Sequence, residues 1–256
     1  MARSIEGLLE ALREARSRNP QLASTIAFYV ALLEAQARTA LPDLPPPPSP
    51  EAARRALAEG RPLIELTPLP LDAPALRALA DEVCTITARH RPELAEALEA
   101  IRARLSDGGL LDEGTFADEV GAFVRTQAWR PLLRAWAARM AEQVEIADWR
   151  QPICPFCGSP PDLGALGAED GRRYLLCSRC DTEWAFARVA CPFCGDTRHQ
   201  AYFPGEDERY RLYVCDACKR YLKVVDLRRG WRPVMLPVER VLTIPMDLAA
   251  RQAGYR

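Results

Sequence analysis

Apolar residues at helical spacing over the first 150 positions, four CxxC pairs between residues 154 and 218, and a shift in composition after Trp149 together predict an α+β, multidomain fold. The expected order is an N-terminal all-α helical domain (1–150), then two tandem rubredoxin-like or zinc-ribbon-like four-cysteine knuckle modules (151–188 and 189–230), then a C-terminal extension (231–256).

The helical part rests on periodicity. Ile5, Leu8, Leu9 and Leu12 fall on one helical face, as do Leu22, Ile26, Val30 and Leu33. Pro42 to Pro50 (PDLPPPPSP) breaks the pattern and reads as an extended connector, because proline lacks the helix-interior N–H. Helical pattern resumes at Glu51, runs from Pro74 to His90, and continues from Pro92 to Leu105, where Asp107-Gly108-Gly109 stops it. Asp112 to Trp129 and Pro131 to Glu145 read as two further helices, with Pro131 at a helix start. Six or seven helices joined by short connections predict a bundle or array.

Beyond Trp149 the chain carries dense Gly and Pro and short strand-like runs: Arg173 to Leu176, Ala185 to Val189, Arg211 to Val214 and Tyr221 to Val225. The last 25 residues read as a strand or loop over Val234 to Ile244 and a short helix around Asp247 to Ala253.

The same region repeats itself. Cys154-Pro155-Phe156-Cys157-Gly158 recurs 37 residues later as Cys191-Pro192-Phe193-Cys194-Gly195, and Cys177-x-x-Cys180 recurs 38 residues later as Cys215-x-x-Cys218. A CxxC turn places two sulfurs on one side of a tight loop. Two such knuckles facing each other offer four thiolates at about 2.3 Å from a central ion. Glycine after the second cysteine permits the positive φ that turns backbone amides toward sulfur. The repeat favours sequential pairing: Cys154, Cys157, Cys177 and Cys180 as one metal site, and Cys191, Cys194, Cys215 and Cys218 as the other. A cross-braced pairing is the alternative. Four thiolates suit zinc or iron alike. Small knuckles have almost no apolar core, so folding of this region is expected to need the ion.

Composition narrows the function. No apolar run is long enough to span a membrane, and the N-terminal stretch lacks the apolar core of a signal peptide, so a cytoplasmic location without membrane insertion is expected. In a reducing compartment, paired CxxC motifs suggest metal binding or thiol chemistry rather than disulfides. Residues 151–230 hold 12 Lys and Arg against 11 Asp and Glu, a balance that argues against a nucleic-acid surface. No Ser-His-Asp set, HExxH motif, phosphate-binding loop or GxGxxG is present, so an enzyme is not expected. Cys84 sits among Leu79, Val83 and Ile86 as a buried apolar thiol, and His199 reads as a surface residue. Trp184, Phe186 and Trp231 are expected to pack between the knuckles.

The run from Cys154 to Pro161, Arg173-Tyr-Leu-Leu-Cys-Ser-Arg-Cys180, Glu183-Trp184, Arg188, Cys191 to Gly195, Cys215 to Lys223 and the closing Asp247-Leu-Ala-Ala…Gly254-Tyr255 resembles the formate dehydrogenase accessory proteins of the FdhE family. The resemblance covers about the last 110 residues and matches all eight cysteine positions. It implies a cytoplasmic accessory factor that binds the catalytic subunit of formate dehydrogenase before export. It also implies two rubredoxin-like metal ions, with iron favoured over zinc, and leaves self-association open. The rival readings are a redox-active electron-transfer or thiol protein acting on that client, and a zinc-ribbon nucleic-acid binder.

Overall fold

The computed structural model describes residues 4–109, 111–114, 116–205, 207–229 and 234–256. Trp231 lies outside the described residues. Among the described residues, six α-helices precede the first strand: α1 (Ile5–Arg18), α2 (Ala23–Arg38), α3 (Pro50–Ala58), α4 (Pro74–His90), α5 (Ala95–Ser106) and α6 (Glu119–Ala141). The chain forms two compact units, Met1–Pro46 with Pro68–Arg139, and Pro47–Thr67 with Met140–Arg256. The division drawn from the sequence places residues 47–67 with the helices; by compactness they group with the cysteine-rich half.

In the first unit each helix begins and buries as its sequence dictates. Ser4 Oγ accepts from the Gly7 N–H at 3.1 Å and caps α1, whose Leu8, Leu9 and Leu12 are buried. Pro74 occupies the first turn of α4, which buries Leu76, Leu79, Val83 and Cys84. The sequence pattern predicts two helices around Pro131, but the structure has one. Asp118 caps its start by accepting from Gly121 N–H, so α6 opens at Glu119 and runs through Pro131. Proline cannot donate to the carbonyl four residues back, which orphans the Gln127 oxygen. The buried Gln36 side chain replaces that bond, donating Nε2 to Gln127 O at 3.0 Å.

In the second unit, β1 (Pro161–Leu166), β2 (Arg173–Cys177), β3 (Glu183–Phe186), β4 (Gln200–Pro204), β5 (Tyr210–Cys215) and β6 (Arg220–Asp226) form one six-stranded sheet in the order β3-β2-β1-β6-β5-β4. Each cysteine repeat contributes a three-stranded antiparallel meander. The first strand of one meander pairs in parallel with the last strand of the other, with Leu163 opposite Lys223 and Gly164 opposite Val224. Gly164 allows this approach: a Cβ there would lie 3.1 Å from Tyr174 O and 3.2 Å from a Leu222 methyl.

Leu163, Ala165, Leu176, Val225 and Leu236 form a shared core beneath that junction. Val234 to Ile244, expected as strand or loop, instead leads into α7 (Leu236–Leu242), followed by α8 (Ile244–Gln252). Pro237 and Pro245 fall in the first turns of these helices, where their missing N–H costs nothing.

Candidate metal centres

The sheet places a knuckle at four points. Cys154 and Cys157 precede β1, and Cys177 ends β2 with Cys180 in the turn to β3. Cys191 and Cys194 precede β4, and Cys215 ends β5 with Cys218 in the turn to β6. The structure brings these together in two sequential sets, Cys154, Cys157, Cys177 and Cys180, and Cys191, Cys194, Cys215 and Cys218, with the sulfurs of each set within 4.8 Å of one another.

The geometry fits a thiophilic ion. Ligands at about 2.3 Å in a tetrahedron stand about 3.8 Å apart. The Cys191–Cys218 and Cys194–Cys215 sulfurs are 3.8 and 3.7 Å apart, and the Cys154–Cys180 and Cys157–Cys177 sulfurs 3.4 and 3.3 Å. A disulfide would need about 2.05 Å, and all nine cysteines are free thiols. Electrostatics point the same way. Burial pushes the Cys154 and Cys180 thiols well up, while hydrogen bonds led by that from Cys154 hold Cys157 well down. In the second set, burial pushes Cys191 up to about 12 and backbone hydrogen bonding at Asp196 lowers Cys194. Four close thiols cannot all ionise in such surroundings unless a cation offsets their repulsion. Each cluster could hold one metal ion.

Backbone conformation explains how each knuckle closes. Gly158 and Gly195, after the second cysteines of their knuckles, have φ of +70° and +75°. The other two knuckles make the same turn without glycine, at Asp181 (φ 59°) and Lys219 (φ 57°). The sequence reading missed this pair, although their place directly after Cys180 and Cys218 in the repeat is the signal for it. In the knuckle beginning at Cys177, the Arg179 and Cys180 N–H groups both donate to Cys177 Sγ at 3.4 Å.

A second omission is Arg240 of α7. Its guanidinium donates to Cys177 O and to Asp181 Oδ1, both at 2.6 Å, and pairs with Asp162 at 2.8 Å. Desolvation pulls its pKa down, but Asp162 and Asp181 outweigh that and hold it above the ordinary value. Nothing near Arg240 in sequence marks it as a support for a cysteine loop.

The remaining candidates settle simply. Trp184 is buried and donates Nε1 to Gln151 O at 3.0 Å. Phe186 lies with Arg173 over its ring. Cys84 is fully buried on α4, and burial pushes its thiol up to about 12. The exposed His199 donates its backbone N–H to Asp196 and sets its ring against the same carboxylate, and it is not among the ligands of either cysteine set.

A helical unit followed by a sheet that carries two tetrathiol clusters defines the class: a two-part α+β protein with tandem rubredoxin-like knuckles. Residues 153–188 match the family model "FdhE, central domain". The chain is 27% identical to Protein FdhE of Escherichia coli over 96% of its own length and 83% of the relative's. It is 26% identical to the Protein FdhE homolog of Aquifex aeolicus over 78% of its length and 73% of that protein. The crystal structure of the FdhE protein from Pseudomonas aeruginosa superposes with a TM-score of 0.69 at 24% identity, covering 100% of this chain and 95% of that one, a likeness of fold. The chain is thus similar to FdhE proteins along most of its length and shares their fold.

Proposed function

We propose that this protein is an assembly factor for formate dehydrogenase, acting in the cytoplasm on the enzyme's catalytic subunit and carrying no catalytic centre of its own. The observation that supports it is similarity to FdhE proteins along 96% of the chain, with all eight cysteines gathered into two clusters. Among the described residues no helix is long and apolar enough to cross a membrane, which accords with a factor that works before export.

Cys154, Cys157, Cys177 and Cys180 would hold one ion, and Cys191, Cys194, Cys215 and Cys218 the other; iron is the metal we favour. Bound iron would supply a one-electron couple with little change in geometry, and zinc a purely structural cross-link. The chain's own contribution is to hold the sulfurs in place and to present the surface that grips the client. A second reading, in which the later site exchanges electrons or thiols with the client, is favoured by the exposure of Cys194.

Affinity capture of the tagged chain from its native host, aerobically and anaerobically, tests both readings when paired with elemental analysis. The assembly role predicts co-purification of a formate dehydrogenase catalytic subunit under both conditions, and its absence from both would refute that role. Two zinc ions per chain in both preparations would exclude electron transfer.

A further inference from the structure

A cavity of about 530 Å³ lies at one edge of the sheet, between the β1–β2 turn and the end of β3. Four arginines line it, Arg150, Arg172, Arg173 and Arg188, against one acidic residue, Asp170. The local excess of positive charge is hidden in the near-neutral balance of residues 151–230.

Arg173 is the informative member. It is 1% exposed with its guanidinium over the Phe186 and Tyr213 rings, and among the described residues no carboxylate hydrogen-bonds to it. Its Nε and Nη2 donate to Ala187 O and its Nη2 also to Ala190 O, which leaves Nη1 buried without a partner. A buried guanidinium with an unused N–H group and no counter-ion is costly unless an anion supplies both.

The rim repeats the theme. Arg188 is exposed and donates only to the Gly171 carbonyl, at 3.3 Å. Arg172 stands 3.5 Å from Asp170, a loose surface pair. Gly171, at φ +61°, keeps the turn low between guanidiniums: a Cβ there would lie 3.4 Å from Arg188 Nη1 and 3.6 Å from Arg228 Nη1. Planar guanidinium forks match phosphate oxygens two at a time. The volume exceeds what a free phosphate needs and falls within the ~300–1,000 Å³ of small-molecule sites. The Phe186 ring and the alanines beside it add an apolar wall suited to a flat organic group.

We propose that this pocket binds a phosphate-bearing small molecule of mononucleotide size, with Arg172 and Arg188 on the phosphates, Arg173 as the buried charge behind them, and Phe186 against the organic moiety. The site contains none of the eight cysteines, although Arg173 also holds the Ala190 carbonyl next to Cys191, and the proposal does not depend on the chain's role toward formate dehydrogenase.

Isothermal titration of the full-length, metal-loaded chain with ADP, inorganic pyrophosphate and adenosine tests it. The expected result is that ADP and pyrophosphate compete for one site and that adenosine, lacking phosphate, binds about a hundredfold more weakly. Arg188→Ala and Arg172→Ala should each weaken ADP by about tenfold with metal content and circular dichroism unchanged. Arg198→Ala, an exposed arginine outside the cavity, should leave it unaltered. Arg173→Met should abolish binding; if that variant does not fold, the two rim variants decide the matter. Failure of both ADP and pyrophosphate to bind at millimolar concentration would overturn the proposal. So would adenosine binding as tightly as ADP, rim variants indistinguishable from the parent, or a short single-stranded RNA displacing ADP at far lower concentration.

Discussion

The two cysteine sites are copies in sequence and unlike in setting. In the first, all four sulfur-bearing residues are buried; in the second, Cys194 is exposed and Cys218 half-buried. The difference comes from segments outside the repeat. Leu63 and Ile64 donate their N–H groups to the carbonyls of Pro155 and Phe156 in the first knuckle, and the Pro62 ring lies against Gly158. From the other side, Arg240 of α7 holds the Cys177 carbonyl and Asp181. The second site has thinner cover: Arg220 stacks on the Phe193 ring, and the chain end reaches it through Arg256 N–H to Lys219 O and Tyr255 Oη to Asp216. A repeated unit supplies the sulfurs, and its non-repeated neighbours decide how well each set is shielded from water and solutes.

That contrast can be broken by mutation, and the largest effect belongs to the ligands of the shielded site. Cys177→Ser should remove one ion and destabilise the sheet unit by about 4 kcal/mol or more. The helices of the first unit should keep their ellipticity. Cys194→Ser should also remove one ion yet lower the melting temperature far less, because that knuckle is already exposed. Elemental analysis with thermal denaturation followed by circular dichroism separates the two outcomes; equal shifts would contradict the asymmetry.

Next comes Arg240→Met, which removes the buried cation from between Asp162 and Asp181. A loss of about 3–5 kcal/mol in denaturant unfolding is expected, with the ion of the first site alone held more weakly. A matched pair of glycines gives a smaller effect. Gly195→Ala meets no neighbour within 4 Å, so only the positive φ opposes it, at about 1 kcal/mol. Gly158→Ala meets the same strain and also places its Cβ 3.2 Å from the Pro62 ring, for about 3 kcal/mol in total. The smallest effect should be a slight rise in the unfolding midpoint for Lys219→Gly, which relieves φ 57° at the cost of an exposed ion pair with Asp216.

The ease of reading these features in the sequence follows their locality. The eight cysteines, their spacing and the glycines at 158 and 195 are local, and the repeat suggested the sequential grouping that the structure displays. The helices show because burial imposes a 3.6-residue period. What stayed hidden depends on distant partners. Pro131 reads as a helix start until Gln36, 91 residues before Gln127, supplies the orphaned carbonyl with a donor. β1 does not read as a strand because Pro161 and Gly164 are poor strand formers, yet Gly164 is what lets β6 approach. Residues 47–67 read as part of the helical domain because their backbone bonds to Pro155 and Phe156 close a loop of nearly a hundred residues. Arg240 and the positive-φ positions Asp181 and Lys219 carry no motif of their own.

The most direct test of the unequal sites is the time course of metal release from the full-length chain after addition of a strong chelator. The account predicts two phases of one ion each, separated in rate by about tenfold or more, as expected where local opening differs between regions. The fast phase should disappear in Cys194→Ser and the slow phase in Cys177→Ser. Release of both ions in a single phase, or loss of the fast phase in Cys177→Ser, would contradict it.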